Sequence, residues 1–200
     1  MNADDFAPLF YVADNELMGG LPRDADLAAT VCRLTGNLDA ELGRRAPQVE
    51  PSAGRGRRIA ARFLADADDS FTRNRPLLKV LAARYRLGIV SNFYGNLETV
   101  CRGAGLAPFF AVIVDSRRVG AEKPDPAIFR AALTPLGALP ETTLFVGDSL
   151  RRDREGARRT GIDFIWIAPP AAQAAAARAA GGPPDQRTVA SLSELAEILA

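Results

Sequence analysis

Histidine is absent from this 200-residue sequence, and cysteine, methionine and tryptophan are scarce at two, two and one. Without histidine there is no Ser-His-Asp or Cys-His nucleophilic scheme and no histidine-based zinc site. Any catalysis has to run on carboxylates, a lysine, hydroxyls and a hard metal. Cys32 and Cys101 are too few and too far apart for a disulfide scaffold. They read as reduced, partly buried thiols of a cytoplasmic protein. No apolar run approaches the ~20 residues that span a bilayer. The acidic start, Met1-Asn-Ala-Asp-Asp, lacks the basic region that opens a secretory signal. A charge excess is missing too: 25 basic residues face 24 acidic ones, net +1, so neither nucleic acid nor a membrane surface is implied as a partner.

What is present suits one main domain with a small appendage, because 48% apolar residues supply a real core. The chain divides near Arg75, giving an expected helical region over 1–74 and an α/β region over 75–200. In the first, Phe6, Leu9, Phe10, Ala13 and Leu17 recur at helical steps, between Asp4 or Asp5 and Gly19-Gly20. Leu27, Val31, Leu34, Leu38 and Leu42 form a second stripe, opened by Asp24 or Asp26 and closed by Gly43. Pro47 to Gly56 reads as a loop, and Ile59, Phe63, Leu64 and Phe71 as a third helix.

After Arg75, helices alternate with short continuous apolar runs: Leu87–Val90, Ala111–Val114, Thr143–Val146 and Phe164–Ile167. That grammar predicts a parallel sheet covered on both faces. The alanines of the Ala/Pro/Gly-rich stretch from Ala168 to Gln186 could form a short helix, but the expectation is a mobile surface segment. Ser191 to Leu199 reads as a final amphipathic helix capped by Ser191 or Ser193. No internal repeat is visible.

Ligands of open α/β sheets sit beyond the carboxyl ends of the strands. One strand here ends in Ser91-Asn92. Lys123-Pro-Asp-Pro126 follows the next, and the third ends in Gly147-Asp148-Ser149, with Asp153 five positions after Asp148. A hydroxyl, an amine and two carboxylates at one sheet edge suit phosphoryl chemistry. Hydroxyl and backbone N–H hold phosphate oxygens, the lysine offsets charge, and paired carboxylates suit Mg²⁺. Singly, each has an ordinary reading: Ser91-Asn92 a turn, Lys123 an exposed lysine, Asp148 a helix cap. Together they would need three coincidences. The arginine run at 151, 152, 154, 158 and 159 reads as a solvated helix face. Phe93 and Tyr94 read equally as pocket lining or as loop packing. No glycine-rich nucleotide-binding turn follows any strand, which argues against an unrelated nucleotide-binding protein.

Leu87-Gly-Ile-Val-Ser-Asn-Phe93 resembles the second motif of the haloacid dehalogenase (HAD) superfamily. Val119-Gly-Ala-Glu-Lys-Pro-Asp-Pro-Ala-Ile-Phe129 resembles the third. Phe145-Val-Gly-Asp-Ser-Leu-Arg-Arg-Asp153, followed by Gly156-Ala157 and Gly161, resembles the fourth. The resemblance implies a Rossmann-like core with a helical cap remnant at the N-terminus. It also implies a Mg²⁺-dependent phosphatase acting on a small phosphorylated metabolite, the acidic pair favouring phosphatase over dehalogenase. By it, Ser91 binds phosphate with Asn92 beside it. Lys123 steadies the phosphoryl group and the nucleophile, and Asp148 and Asp153 hold Mg²⁺.

The family's first motif, a strand ending in Asp-x-Asp that supplies an aspartyl nucleophile and a general acid–base, has no match here. Leu9-Phe-Tyr-Val-Ala13 read as a strand would place Asp14 and Glu16 as a degenerate pair. Read as a helix, it belongs to the cap. In the family the first strand lies between the Ser91 and Asp148 strands. Its loss would leave two ladders unpaired at ~1–3 kcal/mol per buried group, against roughly 5–15 kcal/mol of total stability. The flanking strands would close up, another segment would fill the slot, or the full polypeptide starts upstream of Met1, which is the expectation here. The chain alone is then expected to turn over little and to bind Mg²⁺ weakly. The rival expectation is an inactive, HAD-like binding module.

Overall fold

Alternation of apolar runs with amphipathic stretches yields nine helices and five strands among the described residues, which are 3–45, 54–180 and 187–199 of a computed structural model. The chain forms two compact units, Met1–Arg73 with Phe93–Ala107, and Asn74–Asn92 with Pro108–Ala200. None of the described helices is long and apolar enough to cross a membrane.

The first unit is helical. Helix α1 spans Ala3–Met18 and α2 spans Leu27–Arg45. They bury the stripe read from the sequence, Leu9 and Ala13 against Leu38 and Leu42, with Leu34 beside them. Asp26 Oδ1 accepts the Ala29 N–H at 2.7 Å and so caps α2. Helix α3 runs unbroken over Arg55–Arg84, through Pro76 and, from Asn74 on, into the second unit, across the point near Arg75 where the sequence reading divided the chain. Proline removes one backbone hydrogen bond but does not end a helix whose flanking turns are held. Much of the expected loop, residues 46–53, lies outside the described residues. Helix α4, Leu97–Gly103, follows the buried Asn96. The Asn96 amide donates to Ala25 O and Thr30 Oγ1, both at 2.8 Å, tying α4 to the start of α2.

The second unit is the α/β part. Strands β1 (Gly88–Ser91) and β2 (Val112–Asp115) pair in parallel, with Ser91 opposite Asp115. A short helix α5 (Ser116–Val119) and α6 (Pro126–Leu136) follow, Pro126 opening α6 where its missing N–H costs nothing. Strand β3 is Leu144–Gly147. A π-type turn, Leu150–Arg154, then leads into α7 (Glu155–Thr160) and β4 (Asp163–Ile167). Helix α8, Pro170–Ala180, replaces the mobile segment expected there, because a run of alanines has high helix propensity and little side-chain entropy to lose. Residues 181–186 of that expectation lie outside the described residues. Strand β5 (Arg187–Val189) was not foreseen, and α9 (Leu192–Leu199) was; Ser191 Oγ accepts the Glu194 N–H at 3.2 Å. β3, β4 and β5 form a second parallel ladder in that order.

Alternate residues of β3 serve opposite faces. Phe145 joins Phe129, Leu133 and Ala157 of α6 and α7. Leu144 and Val146 join Leu192, Leu195 and Leu199 of α9. The strands flanking the expected gap have not closed up: β1–β2 and β3–β4–β5 are separate sheets, with no ladder joining β1 to β3. A cavity of about 390 Å³ lies there, lined by Ile89, Val90, Leu144 and Val146 from the two strands. The segment Leu9–Ala13 is not the filler, because it is helical within α1.

Candidate active site

The carboxyl end of β1 delivers Ser91 half-buried. Its Oγ makes a single long contact among the described residues, 3.5 Å to the Asn92 carbonyl. The next side chain is committed inward. Asn92 Oδ1 accepts the Lys123 N–H at 2.8 Å, and Asn92 Nδ2 donates to the Lys123 carbonyl at 3.3 Å. Asn92 therefore brackets the backbone of Lys123 from 31 residues away. The sequence reading set Asn92 beside Ser91 at the phosphate, and here its amide is engaged with the Lys123 backbone.

So held, Lys123 places its ammonium 2.7 Å from Asp153 Oδ1, with the two side chains 14% and 3% exposed. The ammonium also lies 5.7 Å from the centre of the Phe145 ring, a cation–π distance. Asp153 is fixed from its other oxygen: Oδ2 accepts the Ser149 N–H at 3.0 Å. No hydrogen bond from the described residues reaches Oδ1, so the lysine is its near charge partner. Gly147 makes this packing possible, because a Cβ there would fall 2.5 Å from Asp153 Oδ2. Asp148 is exposed and lines the same cavity as Lys123 and Asp153. Capping of the following turn falls to Ser149, whose Oγ accepts the Arg152 N–H at 3.2 Å, so Asp148 is not spent on it.

Ser91, Lys123, Asp148 and Asp153 thus occupy strand ends or the loops after them within one unit. Asp115 stands opposite Ser91 and caps α5 by accepting the Arg117 N–H at 2.9 Å. The arginine run behaves as a surface feature in its last turn, where Arg158 and Arg159 pair with Glu155. Those bonds hold the Glu155 carboxyl down at about 2, Arg158 contributing most.

Asp14 is not at a strand end. It lies within α1 and accepts a hydrogen bond from Tyr94 in the first unit. The strand reading of its neighbourhood is corrected: a helical stripe of Leu9, Ala13 and Leu17, each buried, outweighs the short apolar run. Burial first, and then that bond to Asp14, pushes the Tyr94 phenol above its ordinary value. Phe93 packs on Tyr94 at 5.1 Å between ring centres.

The residues present fit a divalent cation only in part. Mg²⁺ is usually held by one or two carboxylates with water and substrate phosphate completing its octahedron. Asp148 at the cavity and Asp153, whose Oδ1 is ion-paired with Lys123, supply two such groups. Among the described residues no set of three or more acidic or thiol side chains clusters as a metal site.

Residues 69–167 match the family model of haloacid dehalogenase-like hydrolases. Among solved structures, a HAD phosphatase from Thermococcus onnurineus superposes with a TM-score of 0.53 at 30% identity, over 62% of this chain and 55% of that one. The chain belongs to the HAD superfamily. Within it, a phosphoserine phosphatase from Thermus thermophilus is 45% identical over 65 residues, 32% of this chain and 26% of that protein. A glyceraldehyde 3-phosphate phosphatase from Methanothermobacter thermautotrophicus is 32% identical over 125 residues, 62% of this chain and 55% of that protein. The chain spans about a quarter to about half the length of these HAD relatives.

Proposed function

We propose that the α/β unit is the phosphate- and Mg²⁺-handling part of a phosphatase for a small phosphorylated metabolite. The observation that carries this reading is the Lys123–Asp153 pair at 2.7 Å, in a cavity that Asp148 also lines. The names of the phosphatase relatives support the substrate class.

Ser91 Oγ, whose one contact among the described residues is a long one to the Asn92 carbonyl, would donate to a phosphoryl oxygen. Lys123, whose backbone Asn92 locks, offsets negative charge on the phosphoryl group as it builds. Asp148 and Asp153 would hold Mg²⁺, which when bound neutralises phosphate charge beside the lysine. A carboxylate attacking phosphorus would form an aspartyl phosphate and expel the alkoxide, which would take a proton from a general acid; water would then attack the phosphorus, regenerating the carboxylate and releasing inorganic phosphate. Neither carboxylate of the cluster suits that attack. Asp153 is paired and buried, and Asp148 is assigned to the cation. The nucleophile is therefore proposed to come from residues outside these 200.

Assay of a generic phosphoester tests this. The 200-residue chain is expected to turn over little, and a version extended by the in-frame residues ahead of Met1 to turn over readily. Equal and substantial rates in both would overturn the reading. A second reading, an inactive binding module, is favoured by the Lys123–Asp153 pair, which engages one of the two carboxylates at the cavity. An upstream frame lacking any apolar strand that ends in Asp-x-Asp would promote it.

A further inference from the structure

Trp166 is the chain's one tryptophan, and only 6% of it is exposed. It stands opposite Gly147 in the β3–β4 ladder, near the carboxyl ends of both strands. Its neighbours on β4, Ile165 and Ile167, pack with Leu195 of α9, so Trp166 projects from the other face. An indole has one donor and no acceptor, and when buried it needs a partner. The partner here lies outside the ladder. Trp166 Nε1 donates to the main-chain carbonyl of Asp148 at 2.9 Å, 18 residues away.

That carbonyl belongs to the peptide group joining Asp148 to Ser149. The other end of the same group, the Ser149 N–H, donates to Asp153 Oδ2 at 3.0 Å. One peptide plane is thus held at both ends, by an indole from β4 and by a carboxylate from the π-type turn. The plane moves as a unit, because its C–N bond does not rotate freely. With Gly147 held in the ladder on one side and this plane on the other, Asp148 has little freedom at φ and ψ. Its side chain is exposed, so its backbone decides where the carboxylate points. The same plane seats Asp153, whose Oδ1 pairs with the Lys123 ammonium at 2.7 Å. A chain of contacts therefore runs from the indole through one peptide group and one carboxylate to the lysine, and bonds in such a chain polarise one another.

We propose, resting on the reading of Lys123, Asp148 and Asp153 as the groups that handle phosphate and Mg²⁺, that Trp166 is a positioning residue of this site. Its indole N–H sets the Asp148–Ser149 peptide, and through it the aim of the Asp148 carboxylate and the seat of Asp153. The competing role is to fill space on the sheet, which asks only for a large flat side chain. Benzothienylalanine separates the two roles: sulfur replaces the indole N–H, so the shape stays and the donor goes. Because the chain has a single tryptophan, a tryptophan-auxotrophic host places the analogue at position 166 alone.

The whole chain is compared in its tryptophan and benzothienylalanine forms. Amide exchange is followed by NMR, and inorganic phosphate is titrated by calorimetry in the presence of Mg²⁺. In the analogue form the Ser149 amide is expected to exchange about tenfold or more faster, while amides of the β3–β4 ladder keep their rates. Phosphate affinity is expected to fall by about tenfold or more, the usual loss when a group that orients a metal or phosphate ligand is removed. Unchanged exchange at Ser149 would overturn the proposal and leave Trp166 a space filler. Faster exchange with unchanged phosphate affinity would overturn it as well, since the clamp would then not reach the site. A tryptophan form that binds no phosphate, with Ser149 still faster in the analogue, upholds the clamp and removes the phosphatase reading instead. If the analogue form does not fold, the tryptophan form decides alone. Its indole N–H and its Ser149 amide are expected to exchange together, with one shared dependence on low urea. An indole N–H that exchanges independently of Ser149 would overturn the assignment.

Discussion

Lys123 is held at two places, its backbone by Asn92 and its ammonium by Asp153. Replacing it with methionine leaves a carboxylate that is 3% exposed without its near cation. Breaking one side of a buried pair costs roughly 3–5 kcal/mol. Lys123→Met is therefore expected to lower the urea midpoint sharply, and adding Asp153→Asn to recover much of the loss. Equal midpoints for wild type and Lys123→Met would show the pair to be solvent-screened. Glu155 gives a pH signature. Its folded value, about 2, lies below an ordinary value near 4.5, so its contribution is present above about 4.5 and lost as pH falls toward 2. The difference in urea midpoint between wild type and Glu155→Gln should shrink over that window. A difference that is constant with pH would contradict the pairing with Arg158 and Arg159. At this scale Ser91, Lys123, Asp148 and Asp153 could be picked out of the sequence as candidates, because polar residues at or after the ends of apolar strands announce themselves. The use Asn92 makes of its amide was not legible, since it depends on two loops meeting across 31 residues.

Helices α6 and α7 meet where Gly156 faces Phe129. A Cβ at Gly156 would fall 2.2 Å from the ring, which is buried and cannot yield cheaply. Gly156→Ala is expected to cost about 1–3 kcal/mol, read as a lowered thermal midpoint, and an unchanged midpoint would mean the ring has room to turn. Among elements, the four apolar strands and the parallel sheet they imply could be read from the sequence. Three others could not. Strand β5 is only Arg187–Val189, too short to show a period. Helix α8 is alanine-rich: a short helix stood open on the sequence, but the composition resembles that of a linker. Helix α3 passes through Pro76, which local rules treat as a boundary.

The α/β unit carries two parallel ladders that do not join, where the sequence reading offered closed-up strands, a filling segment or an upstream start. The unjoined edges predict uneven protection: backbone amides of β1 and β3 should exchange faster than those of Ile165 and Trp166 in β4, as read by native-state hydrogen exchange. Uniform protection across the five strands would mean that β1 and β3 are joined in solution. The functional account needs less than the closed sheet, since Ser91, Lys123, Asp148 and Asp153 lie in one unit without it. Its most direct test is titration of inorganic phosphate in the presence of Mg²⁺, followed by calorimetry, on the wild type and on Lys123→Met and Asp148→Asn. The account predicts weak, saturable phosphate binding that falls about tenfold or more in each variant, one charge-assisted contact being worth roughly 1.5–3 kcal/mol. Phosphate affinity unchanged by both substitutions would contradict it.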